Sequence, residues 1–205
     1  MLSAKIIVVN QQTLIFLGPQ GSGKGTHATE LENDLKRLDP ARAVVHFEMG
    51  KNLRELATQD NYTSKLMKEV ISRGELVPFN ISSSVFTNYL VQNLTGDEHL
   101  LIDGFPRSET QFEVVDTTFS FYNRPNPTVV HINISDEIGI DRLLKRGRAD
   151  DTEETIRRRL AWSREEWQKI LARLVKNPGY TVLEIDGDQS IEAVHQEILT
   201  KLNLV

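Results

Sequence analysis

The chain has 205 residues, of which 39% are hydrophobic and 26% charged, a composition typical of folded globular domains. Its 24 basic and 29 acidic residues give a net charge of −5, which argues against a surface built to bind nucleic acid or an anionic membrane. The sequence contains no cysteine, which excludes disulfides, thiolate zinc sites and a cysteine nucleophile. None of the five histidines lies three or four residues from another, so the spacing does not indicate a histidine metal site.

The apolar runs of the sequence are too short to cross a membrane. Runs such as residues 6–9 and 14–17 fall far short of the roughly 18 residues that a spanning helix needs. Residues 1–12 contain one lysine and no small-residue cleavage pattern, which is unlike a secretory signal. We therefore expect a cytoplasmic protein with no membrane partner.

Short apolar runs alternate with longer segments of helical periodicity, the pattern of a parallel sheet with crossover helices. The predicted strands are residues 13–17, 44–47, 99–102, 128–134 and 180–185. The predicted helices are residues 23–38, 65–72, 82–94, 109–119, 137–145, 153–176 and 191–202. The fold class is therefore α/β, with a five-stranded parallel sheet flanked by helices. Residues 6–9 could either pair as an extra strand or remain outside the sheet.

One connection is unusually long for a simple alternation of strands and helices. About fifty residues separate the second and third predicted strands, and they contain several helical segments. The sequence Arg-Gly-Glu-Leu-Val-Pro at residues 73–78 is a turn-forming run that could return the chain to the core. This segment is predicted to include an insertion.

Residues 17–26, which read LGPQGSGKGT, lie between the first predicted strand and the first predicted helix. Gly18, Gly23 and Lys24 have the spacing of a P-loop, in which backbone N–H groups, a helix N-terminus and a lysine bind a polyphosphate. A simple glycine turn is the alternative, but it does not account for the spacing and the context together. The motif predicts a P-loop NTPase fold, with a polyphosphate bound by Gly21, Ser22, Gly23, Lys24, Gly25 and Thr26; the resemblance described below implies that this ligand is ATP.

Two residues are candidates for the coordination sphere of magnesium. Asp103 ends the third predicted strand, at the edge of the sheet where nucleotide sites form in open α/β folds. A strand-end turn or a helix cap is the alternative role for this carboxylate. The hydroxyl of Thr26 comes one residue later than in the general P-loop pattern, so we expect it to reach the metal through water.

Taken in order, the motifs of this sequence resemble the adenylate kinase family of nucleoside monophosphate kinases over nearly the whole chain. Beside the P-loop, the matching segments are Asp103 to Arg107, Gly50 with Leu53-Arg54, Gly74 to Pro78, Gln111, Arg142 to Arg148, and Asp150 to Arg159. Such agreement in order is far more specific than any single motif. The resemblance implies one P-loop kinase core over residues 1–205, with an NMP-binding insertion at 49–78 and a minimal lid loop at 146–152.

The resemblance also implies the reaction, in which ATP passes its γ-phosphoryl to AMP and two ADP are formed, with Mg²⁺ required and no zinc. The implied catalytic residues are Lys24, Arg107, Arg142, Arg146, Arg148 and Arg159. Gln189 is implied to contact the adenine of ATP through its backbone, beside Arg142 and Arg146. The implied AMP-binding residues are Met49, Gly50, Arg54, Glu75, Leu76, Val77, Gly104, Arg107, Gln111, Arg148 and Arg159. As the partners we expect ATP, AMP and ADP, no nucleic acid, and a monomeric state.

The sequence departs from the family pattern at the acceptor helix, which reads Met49-Gly50-Lys51 where most members have Thr-Gly-Asp. This change leaves a UMP/CMP kinase or another nucleoside monophosphate kinase as the alternative function. Gln111 favours AMP, because an amide can donate to and accept from an adenine edge. We therefore predict that AMP is the preferred acceptor.

A second departure is the lid, where only Gly147 separates Arg146 from Arg148. A shorter lid should exclude water less well, so ATP hydrolysis without acceptor should be measurable. Next to it, we expect Asp150 to orient an arginine and Asp151 to cap the following helix. Two further hypotheses are disfavoured. A nucleotide sensor without catalysis would not need the retained arginines, and a P-loop ATPase acting on nucleic acid is unlike a chain with an acidic net charge.

Overall fold

The computed structural model describes residues 9–148 and 151–205, and within them five parallel strands form one sheet. The strands are β1 (Thr13–Leu17), β2 (Val44–Glu48), β3 (His99–Asp103), β4 (Thr128–Asn133) and β5 (Thr181–Asp186). Their spatial order is β2-β3-β1-β4-β5. The predicted α/β class and all five predicted strands are confirmed, with bounds that differ by no more than one residue. The possible strand at residues 6–9 lies almost entirely outside the described residues.

The described residues also form eight helices. They are α1 (Lys24–Leu38), α2 (Met49–Ala57), α3 (Tyr62–Ser72), α4 (Phe79–Asn93), α5 (Glu109–Phe121), α6 (Asp136–Arg146), α7 (Glu153–Leu174) and α8 (Ile191–Lys201). Helix α2 is absent from the helices predicted by periodicity, because it follows β2 without an intervening turn and is only nine residues long. Helices α2, α3 and α4 fill the long connection between β2 and β3, as the predicted insertion requires.

The order of the strands places the P-loop at the centre of the molecule. β1 is the middle strand and is paired with β3 on one side and β4 on the other. Since all strands are parallel, the residues that follow them share one edge of the sheet. The register aligns Phe16 of β1 and Glu48 of β2 with Asp103 of β3. The carboxylate of Asp103 is thereby positioned next to the start of the loop that follows β1.

The two faces of the sheet carry separate hydrophobic clusters. The first cluster includes Ile15, Phe47, Ile102 and residues of α2, α3, α4, α5 and α7. The second cluster includes Leu14 and Phe16 together with residues of α1 and α8. Because neighbouring residues of a strand point to opposite faces, β1 contributes to both clusters and is completely buried. The P-loop is thus anchored in a strand that is fixed from both sides.

A buried ion pair joins the start of β3 to the loop before β4. The guanidinium of Arg124 donates to the carboxylate and to the backbone carbonyl of Glu98, and both side chains are 1% exposed. Removing one partner leaves the other charge buried without its counterion, which costs about 3–5 kcal/mol.

We therefore expect Arg124→Met to lower the free energy of unfolding by about 3–5 kcal/mol, measured by urea denaturation. Arg157→Gln is the matched control, because Arg157 forms an exposed pair with Glu153 and its loss should cost less than about 1 kcal/mol. Equal midpoints for the two variants would contradict the prediction.

Among the described residues, no helix has the length and hydrophobicity needed to cross a membrane.

Candidate active site

The P-loop turns from β1 into α1 through glycines with positive φ. Gly21 and Gly23 both have φ of 87°, a conformation that side chains with a Cβ rarely adopt. Gly18 is required for a different reason, since a Cβ on this residue would lie 2.2 Å from the carbonyl oxygen of Ile132. The first turn of α1 contains no acidic residue, so its positive end is available to an anion.

Lys24 is the first residue of α1, and its ammonium group folds back over the loop. Its Nζ donates to the carbonyl oxygens of Gly18 at 2.9 Å and Pro19 at 2.8 Å, and to Ser22 Oγ at 3.3 Å. The pKa of Lys24 is lowered to about 8, chiefly by burial, while Asp103 acts in the opposite direction. The lysine charge is therefore held close to the phosphate site and is sensitive to mildly alkaline pH.

This pKa predicts a pH dependence. The ammonium of Lys24 is charged below pH 8 and neutral above it, so kcat/KM for ATP should fall as the pH rises through about 8. Bound phosphates favour the charged form, so the corresponding limb of the kcat profile should lie at higher pH. Initial rates between about pH 6.5 and 9.5 would test this, and profiles that coincide would contradict it.

Asp103 fits the role of a magnesium ligand through water. Its carboxylate makes no hydrogen bond to another described residue, and its Oδ2 lies 3.1 Å from where a Cβ on Gly25 would stand. Burial raises the pKa of Asp103, and the charges of Lys24 and Arg107 oppose that rise. Thr26 is exposed on the same turn of α1. Because Mg²⁺ prefers oxygen ligands and keeps several waters, this set of residues suits it.

A cleft of about 820 Å³ lies in front of the P-loop and brings most of the predicted site residues together. Its lining includes Gly21, Ser22, Gly23, Lys24, Gly25, Thr26, Gly50, Arg54, Glu75, Val77, Asp103, Gly104, Arg107, Arg142, Arg146, Arg148, Arg159 and Gln189. The volume is within the usual range for a ligand site, about 300–1,000 Å³. Trp162 and Glu48 also line the cleft, and no sequence motif indicated them.

Three arginines surround one end of the cleft. Burial lowers the pKa of Arg107, and the positive charges of Arg159 and Arg54 lower it further, against the opposing effect of Asp103. Arg107 Nε donates to the carbonyl oxygen of Gly104 at 2.7 Å, which fixes the direction of the guanidinium. Like charges held this close favour a bound anion between them, and planar guanidiniums suit phosphate oxygens.

Arg142 lies at the other end of the cleft and links two loops. Its Nη2 donates to the carbonyl oxygen of Gly187 at 3.0 Å and that of Gln189 at 3.5 Å, and its Nη1 donates to Gly21 O at 3.4 Å. The loop between β5 and α8 is thereby connected to the P-loop. Gln189 lies exposed at this end, where its backbone carbonyl faces Arg142.

The prediction for Asp151 is wrong. Thr152 caps α7, through a hydrogen bond from Thr155 N to its hydroxyl at 3.3 Å. The buried carboxylate of Asp151 instead accepts two hydrogen bonds from Arg146, each 2.9 Å long, and one from Arg159 at 3.1 Å. Asp151 therefore orients two predicted catalytic arginines, whereas Asp150 lies outside the described residues. Helical spacing could not reveal this, because Asp151 lies between two helices.

Three predicted acceptor-site residues do not line the cleft: Met49, Leu76 and Gln111. Met49 is buried in the first hydrophobic cluster. Gln111 is also buried, and its amide is already bonded at both ends. Its Oε1 accepts from Arg107 N at 2.6 Å, and its Nε2 donates to Ser82 Oγ at 2.9 Å. In this structure Gln111 supports the arginine loop from behind.

A P-loop at the centre of a parallel sheet, facing a cleft lined by arginines, defines a P-loop phosphotransferase. A family model described as adenylate kinase matches residues 16–177. Relatives include the adenylate kinase of Prochlorococcus marinus strain MIT 9515, 33% identical over 92% of this chain and 97% of the relative. The adenylate kinase of Corynebacterium glutamicum strain R is 31% identical over 92% and 98% of the two chains.

A third relative, adenylate kinase 1 of Nostoc sp. strain PCC 7120, is 33% identical over 92% of this chain and 97% of its own. The chain belongs to the adenylate kinase family and is a nucleoside monophosphate kinase. The resemblance stated from the motifs is confirmed, and so is the predicted class of enzyme.

Proposed function

We propose that this chain transfers the γ-phosphoryl of ATP to AMP, reversibly, to form two ADP, and that it uses Mg²⁺ with the donor nucleotide. The observation that carries the proposal is the cleft itself. Its lining brings a P-loop together with Arg54, Arg107, Arg146, Arg148 and Arg159. A cleft of this size that holds a P-loop and several further cationic side chains fits the phosphates of a donor and an acceptor nucleotide together.

The chemistry needs positioning and charge neutralisation more than proton transfer. The phosphate of a monophosphate acceptor is already an anion and can attack the γ-phosphorus without a general base. Arg54 and Arg107 hold this acceptor phosphate. Lys24, Arg146 and Arg159 neutralise the charge on the transferring group, and their directions are fixed by the contacts described above.

The remaining residues complete the two nucleotide sites. The P-loop backbone from Gly21 to Thr26 holds the donor phosphates, and Arg142 with the Gln189 backbone borders the donor base. When bound, Mg²⁺ neutralises part of the phosphate charge, and Asp103 and Thr26 are the residues that would hold it through water. Gly50, Glu75, Val77 and Gly104 line the acceptor side, with Arg148 between the two nucleotides.

The choice of AMP depends on Gln111 becoming available. We propose that acceptor binding exchanges the hydrogen bond between Gln111 Nε2 and Ser82 Oγ for one to the adenine, and that residues 49–78 form the NMP-binding insertion. Met49 and Leu76 then border the base. If the amide of Gln111 kept its present hydrogen bonds, it could not contact the acceptor base, and the enzyme would distinguish AMP less strictly from other monophosphates.

Initial rates with ATP and each of AMP, UMP, CMP and GMP test the proposed function. AMP should have the highest kcat/KM by at least about tenfold, since one unpaired base edge costs about 1–3 kcal/mol. Faster turnover of UMP or CMP would identify the alternative function. ATP binding without phosphoryl transfer to any monophosphate would indicate a sensor.

The lid is proposed to be the loop at residues 146–152, of which 149 and 150 lie outside the described residues. Because this loop is short, water should reach the γ-phosphate more easily than under a larger lid. We expect phosphate release from ATP without acceptor to exceed that of a family member with a longer lid, measured side by side. Equal rates would contradict this expectation.

A cytoplasmic location and a monomeric state are also proposed. The acidic net charge of −5 supports the absence of a nucleic-acid or membrane partner. Sedimentation of the purified protein at several concentrations tests the monomeric state, for which we expect a single species with a mass of 23.3 kDa.

A further inference from the structure

Two histidines from opposite ends of the chain meet where α1 packs against α8. His27 lies on the first turns of α1, and His195 lies on α8, with ring centroids 6.0 Å apart and nearly parallel planes. Glu30, one turn after His27, lies next to both rings. Neither histidine has a role in the proposed phosphoryl transfer.

The polar atoms of this group converge at ion-pair distance but do not form hydrogen bonds of normal geometry. His27 Nδ1, His195 Nδ1 and Glu30 Oε2 are buried and have no hydrogen-bond partner. One possible ligand atom from each of the three residues lies within 4.8 Å of the other two, and the His27 side chain is only 3% exposed. Unpartnered buried polar atoms are costly, so three in one place require an explanation.

The distances from Glu30 to the two histidines match those between two ligands of one metal ion. Glu30 Oε2 lies 3.4 Å from His27 Nδ1 and 3.3 Å from His195 Nδ1. Ligands at about 2.0–2.1 Å from a tetrahedral zinc ion stand roughly 3.3–3.4 Å apart. The geometry of a hydrogen bond is not met at either contact.

A second carboxylate prepares His195 to act as a ligand. His195 Nε2 lies 2.8 Å from Asp34 Oδ2, and Arg37 donates to the other oxygen of Asp34 at 2.7 Å. If Nε2 carries the proton that is donated to Asp34, Nδ1 is the ring nitrogen of His195 whose lone pair is available to a metal ion. Metal-binding histidines commonly donate their second ring N–H to a carboxylate in this way.

We propose that His27, Glu30 and His195 form a site for a divalent transition-metal ion, with Zn²⁺ as the occupant. Two imidazoles and a carboxylate are donors typical of zinc, whereas Mg²⁺ requires oxygen ligands. His27 and Glu30 also belong to the lining of the cleft, from which an ion and a water molecule as fourth ligand would enter. An ion at this position joins α1 to α8 beside the donor end of the cleft.

The site differs from the magnesium site proposed at Asp103 and does not depend on the proposed reaction. It departs from the expectation of no zinc, which depended on the absence of cysteines and of closely spaced histidines in the sequence. The two histidines lie on α1 and α8, which are far apart in the sequence, so no short motif indicates that they lie close together.

Binding of Zn²⁺ and Co²⁺ to the metal-free full chain tests the proposal, by calorimetry and by the visible absorption of tetrahedral Co²⁺. We expect one ion per chain, with little competition from excess Mg²⁺. His27→Gln, Glu30→Gln and His195→Gln should each abolish the cobalt spectrum. Asp34→Asn should keep it but weaken affinity about 10- to 100-fold.

His46→Gln is the matched control, since His46 is equally paired with a carboxylate of α1, Glu32, but lies outside the group. It should bind the metal like the unchanged protein. Because Glu30 is partly exposed, Glu30→Gln should fold even if a histidine variant does not. No saturable binding, or binding that survives Glu30→Gln, would overturn the proposal, whatever the kinase activity of the same samples.

Discussion

Replacing Lys24 by glutamine is expected to lower kcat about 10³-fold. The ammonium of Lys24 is the one positive side chain held inside the described P-loop, and three hydrogen bonds fix it there. In phosphoryl transfer, charge on the transferring group must be neutralised by preorganised donors. The loss of a single donor of this kind commonly costs about 10²–10³ in rate. Glutamine keeps the polarity and approximate length of the side chain but removes the charge.

Lys36→Gln is the matched control for this experiment. Lys36 lies on the same helix, α1, but its side chain is 54% exposed and forms an i,i+4 pair with Glu32. The loss of such a pair costs less than about 1 kcal/mol and should leave kcat unchanged. Steady-state rates of both variants test the prediction that the charge of Lys24 is needed for phosphoryl transfer. A Lys24→Gln enzyme within about tenfold of the unchanged enzyme would mean that the lysine does not act on the transferring phosphoryl.

Asp151→Asn is expected to lower kcat about 10²-fold although Asp151 is not proposed to touch either nucleotide. Its carboxylate binds Arg146 through both oxygens and also binds Arg159. Asparagine has only one acceptor oxygen in its side chain. Its amide nitrogen would face the N–H groups of a guanidinium, and it cannot accept hydrogen bonds from them. The two arginines should therefore lose their alignment. A displacement of about 1 Å near the reacting atoms can cost about 10² in rate.

The division between kcat and KM distinguishes this positioning role from simple destabilisation. A variant that only unfolds more readily retains normal kcat per folded molecule, whereas misaligned arginines lower kcat more than they raise KM. Circular dichroism measures the folded fraction. Asp141→Asn is the control, because Asp141 is 57% exposed and pairs with Lys145 on α6. Unchanged kcat in Asp151→Asn would show that the arginines do not need this carboxylate.

The fold could be predicted from local signals because its strands are short apolar runs with clear ends. The P-loop and Asp103 were also predictable, since strand ends and glycine spacing are local features. The exception in the fold was α2, where β2 passes directly into a helix and no turn residue marks the boundary. Helix α2 does have a periodic buried face, formed by Met49, Leu53 and Ala57, but over nine residues this pattern is too short to distinguish the helix from a continuation of the strand.

The arrangement around the site was harder to predict than its members. The resemblance to the family predicted which arginines belong to the site. It did not predict that Asp151 binds Arg146 and Arg159, because this contact depends on how the segment between α6 and α7 folds. Gln111 illustrates the same limit, because its bond to Ser82 connects α5 to α4 across the core. Contacts between distant segments depend on tertiary packing, and the sequence carries no local pattern for them.

The two hydrophobic clusters on opposite faces of the sheet have a consequence for how this enzyme can change. The helices α2, α3 and α4 beside the proposed acceptor site pack on one cluster, and α1 and α8 beside the proposed donor site pack on the other. Substitutions at well-separated sites usually have additive effects, within about 0.3–0.5 kcal/mol. A substitution in one cluster should therefore leave the stability cost of a substitution in the other cluster unchanged, so changes on the two faces of the sheet can accumulate independently.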